Sequence, residues 1–254
     1  MSTNVSPNSE QTQILRRALA TLYAEQLAAY PNEYLRYHSS RQAIAARVNS
    51  FLAYQSFLPT SGRVLDWGCQ HAPDAAMVST LKTRELTLIG CDFPTPVAYD
   101  RFWNYARMEF VPLQHHVNLP FDDKSFDCVI AAGALEHTAM DYRSLEELFR
   151  ILKPNGRLII THLPNRFSYT EFLARHLTKR NFHRRLYTVS GIGTMLKHNG
   201  FHPLSVRRHR FLPTNTLQSV TRLLSPLEPL FERVWPLRLL CGDIIVIAER
   251  VSMM

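Results

Sequence analysis

Seven short apolar runs alternate with longer amphipathic stretches along most of the chain. Runs of this length are typical of buried β-strands, and the stretches between them repeat their apolar residues every three or four positions, as helices do. This alternation predicts an α/β fold: a doubly wound, mostly parallel seven-stranded sheet covered by helices. The predicted strands are residues 63–66, 86–91, 109–113, 126–132, 157–162, 203–211 and 244–248.

The N-terminal part of the chain has a helical pattern and no strand pattern. Residues 13–30 carry leucines at helical spacing, and a second helix is predicted over 40–58. We therefore expect an N-terminal helical cap over 13–58 and the sheet-containing domain over 59–254. Residues 1–12 are rich in Ser, Asn, Thr and Gln and are predicted to be a disordered tail.

Residues 213–241 form a helical insertion before the last strand, which such a sheet does not need. Apolar residues recur through it at three- and four-residue steps, and Pro226 and Pro229 divide this stripe into two short predicted helices. Three interpretations stay open for the insertion: a lid over an apolar substrate, an interfacial membrane anchor, or a cap packed on the core.

The candidate chemistry begins at the end of the first predicted strand. Asp66 ends an apolar run, Gly68 follows it, and Pro73 marks the start of a helix. This unit brings Asp66 and Gly68 to the carboxyl end of a strand, where doubly wound sheets bind ligands. The turn lacks the G-x-G-x-x-G pattern, and Asp74 is negative where a phosphate would bind. A nucleoside cofactor without phosphates is therefore favoured over a dinucleotide.

A second acidic residue, Asp92, ends the apolar run 86–91. A doubly wound fold has the carboxylate that accepts both ribose hydroxyls at about this distance from the first turn. The alternative is that Asp92 only caps the next helix. Because Asp92 is paired with the turn of Asp66 and Gly68, we favour ribose binding.

Five segments, in this order along the chain, resemble the motifs of class I S-adenosylmethionine-dependent methyltransferases. The similarity is greatest to the type 11 branch, which includes quinone-biosynthesis O-methyltransferases and enzymes encoded among cell-surface glycan genes. The resemblance implies a Rossmann-like methyltransferase fold, S-adenosyl-L-methionine as cofactor, and O-methylation of a small-molecule, lipid or glycan acceptor. The segments are V-L-D-W-G-C (64–69), G-C-D (90–92), L-P-F-D-D-K-S-F-D-C-V-I (119–130), L-E-H (135–137) and L-K-P-N-G-R-L-I-I (152–160).

The resemblance also implies roles for particular residues. Asp66 is expected to reach the amino group of the cofactor, and Asp92 is expected to hold its ribose. His137, in the L-E-H segment, is expected to take the proton of the acceptor; the alternatives are that it only caps the following loop or that the acceptor ionises unaided. The remaining cofactor-binding candidates, which flank the adenine or allow close approach, are Gly68, Cys69, Gln70, Phe93, His116, Val117 and Ala132.

In similar methyltransferases, an N-terminal segment rich in Tyr and Arg folds over the cofactor. The candidates here are Tyr37, His38 and Arg41, and the alternative is a helix cap with a solvated face. The chain departs from the family pattern at Gln70, where the motif G-C-G-x-G has glycine, and in 114–117, which lacks an Asp for the adenine amino group. Side chains at glycine positions would crowd the methionine moiety and lower the affinity for the cofactor.

The net charge of +8 and the isoelectric point of about 9.5 indicate anionic partners. Basic clusters lie within 167–187 and 207–210, and anion recognition or a solvated surface explains them. For 207–210 the alternation favours a solvated strand face. The fourth strand is followed by A-A-G-A (131–134) and not by the N/D-P-P-Y/F box of base amino-methylation. Nucleic acid is therefore not the expected substrate. RNA methylation and a non-catalytic cofactor-binding protein remain as alternative hypotheses.

The four cysteines lie far apart and lack the spacing of zinc ligands, so buried free thiols and no metal site are predicted. The N-terminus shows no apolar leader, and no run approaches the roughly 20 apolar residues of a membrane span. We expect a cytoplasmic protein with at most peripheral membrane contact. The sequence does not indicate an oligomeric state.

Overall fold

A seven-stranded sheet forms the centre of the protein, in the order β3-β2-β1-β4-β5-β7-β6. The computed structural model describes residues 9–94, 100–177, 183–213 and 223–251. All seven predicted strands are confirmed, with ends that differ by a few residues. The strands are β1 (Ser61–Trp67), β2 (Glu85–Asp92), β3 (Met108–Pro112), β4 (Phe126–Ala132), β5 (Leu152–Pro164), β6 (Phe201–His209) and β7 (Asp243–Arg250).

The topology brings the ends of β1, β2 and β4 to one edge of the sheet. Strands β1 to β5 pair in parallel, and β7 runs antiparallel to both of its neighbours, β5 and β6. The chain winds outward from β1 to β3 and then returns to place β4 on the other side of β1. Ligands of doubly wound sheets bind at this switch point. The predicted doubly wound, mostly parallel fold is confirmed.

Helices cover both faces of the sheet. Two layers of buried apolar side chains separate them from it, because alternate strand residues point to opposite faces: Val64 and Cys128 belong to one layer, and Leu65 and Val129 to the other. Within the described residues the helices are α1 (Glu10–Ala29), α2 (Glu33–His38), α3 (Arg41–Tyr54), α4 (Pro73–Val78), α5 (Asp100–Tyr105), α6 (Asp141–Ile151), α7 (Tyr169–Leu177), α8 (Val189–His198) and α9 (Glu228–Phe231).

The N-terminal helices differ from the prediction in two places. α1 begins at Glu10, inside the segment 1–12 that was predicted to be disordered, because the Ser9 side chain accepts a hydrogen bond from the Thr12 N–H at 3.2 Å. Residues 1–8 lie outside the described residues. α2 was not predicted; it is a six-residue helix whose first turn is capped by the Asn32 side chain, which accepts from the Leu35 N–H at 2.8 Å.

The residues Lys153-Pro154-Asn155-Gly156 are typical of a turn, but they lie within β5, where the strand is irregular. Leu152 pairs with Phe126 and Arg157 pairs with Cys128, so five residues of β5 advance against two of β4. Asn155 has a φ of 61° at this point. Residues 153–156 therefore form a bulge, and β5 pairs regularly with β4 from Arg157 onward.

The insertion is described from residue 223 onward, and the part of its predicted apolar stripe in 214–222 lies outside the described residues. Short 3₁₀ turns at Ser225–Leu227 and Leu237–Leu240 flank α9. Two acids tie this segment to the chain that follows β6: Glu228 accepts from the Leu212 N–H at 3.1 Å, and Glu232 accepts from the Arg210 N–H at 2.7 Å. This part of the insertion is thus fastened to the core.

The four cysteines are buried and free, as predicted. Among the residues that the structure describes, none of the helices combines the length and apolar composition needed to cross a bilayer.

Candidate cofactor and acceptor site

The turn that follows β1 is fastened directly to β2. The backbone N–H groups of Gly68 and Cys69 both donate to the Cys91 carbonyl oxygen, at 2.8 and 3.3 Å. Gly68 has a φ of +72°, and a Cβ atom there would lie 2.8 Å from the Cβ of Ala134. Only glycine meets both conditions without strain. The turn is therefore held close to both β2 and the residues that follow β4.

Asp92 joins the end of β2 to the same turn. One carboxylate oxygen accepts from the Gln70 N–H at 3.0 Å, and the other accepts from the Phe93 N–H at 2.7 Å. Burial raises the pKa of Asp92, and the two backbone hydrogen bonds oppose that rise. Each carboxylate oxygen keeps a further lone pair for a ligand hydroxyl.

Gln70 occupies a position where the resembling family has glycine, and two aromatic side chains bind it. Its φ is 40°, which few residues other than glycine adopt. The Tyr34 hydroxyl donates to the Gln70 side-chain oxygen at 3.1 Å, and the Trp103 indole N–H donates to the Gln70 carbonyl oxygen at 3.3 Å. Tyr34 of α2 thus holds the Gln70 side chain at the position where the family pattern has glycine, and crowding of the methionine moiety by this side chain stays a prediction.

These residues surround a cleft of about 350 Å³ at the switch point. One wall is aromatic, because the rings of Trp103 and Phe110 stack with centroids 3.6 Å apart and planes 6° apart. The volume is in the range of small-molecule sites, and a carboxylate beside flat apolar rings suits a nucleoside. The Asp92 carboxylate can accept from ribose hydroxyls, and the aromatic wall can pack against a base, so the cleft fits the ribose and adenine of S-adenosylmethionine. The lining residues are Asn32, Tyr34, Gln70, His71, Asp92, Phe93, Trp103 and Phe110.

The predicted cofactor residues divide into two groups in the structure. Gln70, Asp92 and Phe93 line the cleft together, and the ring of His116 lies 4.5 Å from that of Phe93. The others do not belong to the cleft lining. They are Asp66, Gly68, Cys69, Val117 and Ala132.

Asp66 is directed into the protein below the turn. Its side chain accepts from the Ala75 N–H at 3.3 Å, in the first turn of α4. Burial and the nearby Asp74 carboxylate raise the pKa of Asp66 to about 8. The hydrogen bond from Ala75 to Asp66 joins the end of β1 to the first turn of α4.

The first turn of α4 is also held by the N-terminal cap. Asp74 forms a buried ion pair with Arg47 and accepts from the Tyr54 hydroxyl at 2.8 Å. The negative charge that disfavours a phosphate here is thus neutralised by α3. The cap, the turn and the cleft form one connected unit.

The N-terminal candidates Tyr37, His38 and Arg41 do not line the cleft, whereas Tyr34, which was not predicted, does. The His38 ring packs against Tyr34 and Tyr37, with centroid distances of 4.1 and 5.0 Å. Burial, together with the charges of Arg47 and His162, lowers the pKa of His38 to about 3. Arg41 is the first residue of α3. Asn32 and Tyr34 are the residues of this segment that line the cleft, and His38 packs against Tyr34.

The chain beyond β4 carries the predicted proton acceptor, and we call this segment the β4 edge (residues 133–137). His137 Nε2 lies 3.8 Å from Glu136 Oε1, with the His137 side chain 59% exposed and the Glu136 side chain 1% exposed. Burial raises the pKa of Glu136 to about 7, and partial burial lowers the pKa of His137. Glu136 was missed because a charged residue beside an exposed histidine gives no sign of burial.

A third residue reaches the β4 edge from a distant part of the chain. The His183 ring lies 6.0 Å from that of His137, and its Nδ1 lies 2.7 Å from a carboxylate oxygen of Glu171 in α7. The sequence predicted no metal site, but Glu136, His137 and His183 each bring one potential ligand atom within 4.8 Å of the others. Their separation along the chain concealed this cluster.

Several residues of the predicted basic clusters are paired internally. Arg210 forms two hydrogen bonds to Asp243, at 2.7 and 2.8 Å, and His209 lies 2.8 Å from Glu232. The 207–210 cluster was expected to be a solvated strand face. That expectation is wrong for His209 and Arg210, because the acids of β7 and of the insertion bind them. Lys179 and Arg180 lie outside the described residues.

Comparison with known proteins agrees with this architecture. Residues 65–160 match the model of a methyltransferase domain. A solved structure from Thermotoga maritima, a possible histamine N-methyltransferase, superimposes with a TM-score of 0.59 at 20% identity, over 90% of this chain and 98% of that one. The predicted resemblance is confirmed: the protein has the fold of class I S-adenosylmethionine-dependent methyltransferases. Residues 65–160, which match the family model, span β1 to β5 of this fold.

Curated relatives match shorter segments. The ubiquinone/menaquinone biosynthesis C-methyltransferase UbiE of Edwardsiella ictaluri is 34% identical over 82 residues, and UbiE of Geotalea daltonii is 26% identical over 141 residues. These matches cover 32% and 52% of this chain, and 30% and 57% of the relatives' own lengths. A probable tRNA methyltransferase 9B of Bos taurus is 30% identical over 130 residues, which is 49% of this chain and 26% of that protein.

Proposed function

We propose that the protein is an S-adenosylmethionine-dependent methyltransferase that methylates an oxygen atom of a small-molecule, lipid or glycan acceptor. The observation that carries the proposal is Asp92: its carboxylate binds the turn after β1 and stands at the rim of an aromatic cleft. A carboxylate at the end of the second strand is the group that doubly wound folds use to hold ribose hydroxyls. The bound cofactor supplies a methyl group that its sulfonium has already activated.

The protein's own contribution is positioning. Asp92 would fix the ribose, Phe93 and Trp103 would flank the adenine, and Gly68 would allow the backbone to approach. Holding the reacting atoms in line lowers the barrier by removing their translational and rotational freedom. The match of 65–160 to a methyltransferase domain supports methyl transfer. The UbiE relatives are named C-methyltransferases, so the choice of an oxygen acceptor rests on the sequence resemblance alone.

An acceptor hydroxyl must also lose its proton. The β4 edge adjoins the turn after β1, because Ala134 contacts Gly68, so an acceptor bound beside the cleft would meet this segment. His137 is exposed there, and a neutral imidazole can accept a proton near neutral pH. We assign the acceptor to this side of the cleft.

Exposed apolar side chains support a lipid or other apolar acceptor. In the insertion, Leu223 is 75% exposed and Trp235 is 68% exposed, and Phe172 of α7 is 60% exposed. Apolar surface of this kind, on a protein with a net charge of +8, suits peripheral contact with an anionic membrane. The four free cysteines fit a reducing compartment such as the cytoplasm.

RNA methylation is the alternative that the tRNA methyltransferase relative favours. The internal pairing of Arg210 with Asp243 removes one positive charge from the surface that would bind phosphates, and His209 is held beside Glu232. The small-molecule or lipid acceptor is therefore better supported.

Titration calorimetry with S-adenosylmethionine and with its demethylated product tests the cofactor assignment. We expect both to bind with one site per chain. A folded protein that binds neither would contradict the proposal.

A further inference from the structure

We propose that Glu136, His137 and His183 together bind one divalent transition-metal ion at the β4 edge. Two imidazoles and one carboxylate form a ligand set that suits Zn²⁺, Fe²⁺, Mn²⁺ or Co²⁺ better than Mg²⁺ or Ca²⁺, which prefer oxygen alone. Three protein ligands also leave coordination positions open for a further ligand, as catalytic zinc sites do.

The distances permit a common ligand sphere. One ligand atom from each of the three residues lies within 4.8 Å of the other two, and His137 Nε2 is 3.8 Å from Glu136 Oε1. Two ligands about 2.1 Å from one tetrahedral metal ion lie roughly 3.4 Å apart. The separations therefore need to shorten by at most about 1.4 Å, through small movements of the three side chains, to complete the site.

The buried carboxylate of Glu136 has an oxygen atom that lacks a hydrogen-bond partner within the described part of the chain. Its side chain is 1% exposed, and its Oε2 atom has no hydrogen-bond partner among the described residues. Leaving a buried carboxylate oxygen without a partner is unfavourable. A metal ion held with His137 and His183 would provide that partner.

His183 is oriented as a metal ligand usually is. Its Nδ1 is engaged by Glu171 at 2.7 Å, which leaves Nε2 for the ion. Histidine ligands typically bond a carboxylate through the other ring nitrogen, and this bond fixes the ring and raises the basicity of the ligating atom. Arg175 holds the backbone on the same side by donating to the His183 carbonyl oxygen at 2.6 Å.

The surrounding charges favour a cation. The Glu171 carboxylate lies 2.7 Å from His183 Nδ1, and the buried Glu136 carboxylate brings a ligand atom within 4.8 Å of one on His183, so negative charge adjoins the ring on two sides. The alternative to a metal ion is a proton on His183, which would form an ion pair with Glu171. Metal binding and this ion pair predict different results with added metal.

A bound ion would change the role of His137, because a nitrogen that binds a metal has no lone pair left to accept a proton. The positive ion would lower the pKa of a neighbouring acceptor hydroxyl instead. This consequence rests on the proposed methyl transfer, whereas binding of the ion does not.

The test is titration of tag-free, chelator-treated protein with Zn²⁺, followed by calorimetry and by metal analysis after dialysis. We expect one Zn²⁺ per chain, and an absorption spectrum of the Co²⁺-loaded protein that reports nitrogen and oxygen ligands. His183→Ala should lower the affinity by at least about 10-fold, and Glu171→Gln by about 10- to 100-fold, because Glu171 only orients His183. His202→Ala is the matched control; this exposed histidine of β6 should leave the affinity unchanged.

Glu136→Gln keeps the size of the side chain and should also weaken binding, with circular dichroism to verify that the variant is folded. No stoichiometric Zn²⁺ binding by the parent protein would overturn the proposal, as would equal affinity in parent and His183→Ala. Methyl transfer that survives chelation but is lost in His137→Ala would contradict a metal role in the reaction and leave His137 as the base. Absence of cofactor binding would contradict the proposed function but would not bear on the metal-site proposal.

Discussion

The Asp92 carboxylate accepts a hydrogen bond from the backbone N–H of Gln70 at 3.0 Å, and this contact joins the ends of β2 and β1. The residue predicted to hold the ribose thus also shapes the turn that must approach the cofactor. A defect at Asp92 should therefore appear in cofactor binding before it appears in stability.

Replacement of Asp92 by alanine tests that role. Loss of a carboxylate that accepts two ribose hydroxyls should cost about 1.5–3 kcal/mol, the scale of hydrogen bonds to a charged group, and so lower the affinity for S-adenosylmethionine at least about 10-fold. Calorimetry measures the effect. Asp122→Ala, at an exposed position in the loop before β4, is the control. Unchanged affinity in a folded Asp92→Ala protein would remove the assignment.

Gln70→Gly tests whether the side chain at the glycine position weakens cofactor binding. Glycine adopts the observed φ of 40° without strain, and its introduction removes the side chain that Tyr34 holds across the turn. We expect S-adenosylmethionine to bind several-fold more tightly. Gln70→Ala separates the two effects, since it removes the side-chain amide but keeps the backbone cost. Weaker binding by Gln70→Gly would show that the Gln70 side chain contacts the cofactor.

The buried pair of Arg47 and Asp74 makes a prediction about stability. Arg47→Met leaves the Asp74 carboxylate buried without its positive partner, and breaking a buried pair in this way costs about 3–5 kcal/mol in the free energy of unfolding. Urea denaturation measures it. The same change at Arg143, whose pair with Glu146 is exposed, should cost less than about 1 kcal/mol. Equal effects of the two substitutions would mean that the buried pair does not hold the cap to α4.

The exposed apolar residues of the insertion predict binding to a membrane surface. The protein should co-sediment with anionic vesicles at low salt and less so at high salt, because the Lys and Arg contribution is screened. Replacing Leu223 and Trp235 by serine should weaken co-sedimentation, whereas Ile14→Ser, at an exposed apolar position on α1, should not. If none of the protein sediments at low salt, the insertion is a packed cap.

The predictable part of this protein is the part encoded locally. Seven strands follow from short apolar runs, and the importance of Asp92 follows from its distance from Gly68 along the chain. The hydrogen bond from Tyr34 to Gln70 joins residues 36 positions apart, and His183 meets His137 only through the tertiary fold. Local periodicity contains no information on such contacts. α2 was missed because six residues are too few to show a helical period.

The most direct test of the account is transfer of a radiolabelled methyl group from S-adenosylmethionine, with lipid extract, glycan extract and RNA offered in parallel. We predict label in the lipid or glycan fraction, a large loss of that label in Asp92→Ala, and none in RNA. Label in RNA alone would establish the rival function. Cofactor binding without transfer to any fraction would contradict the claim that this protein is a lipid or glycan methyltransferase.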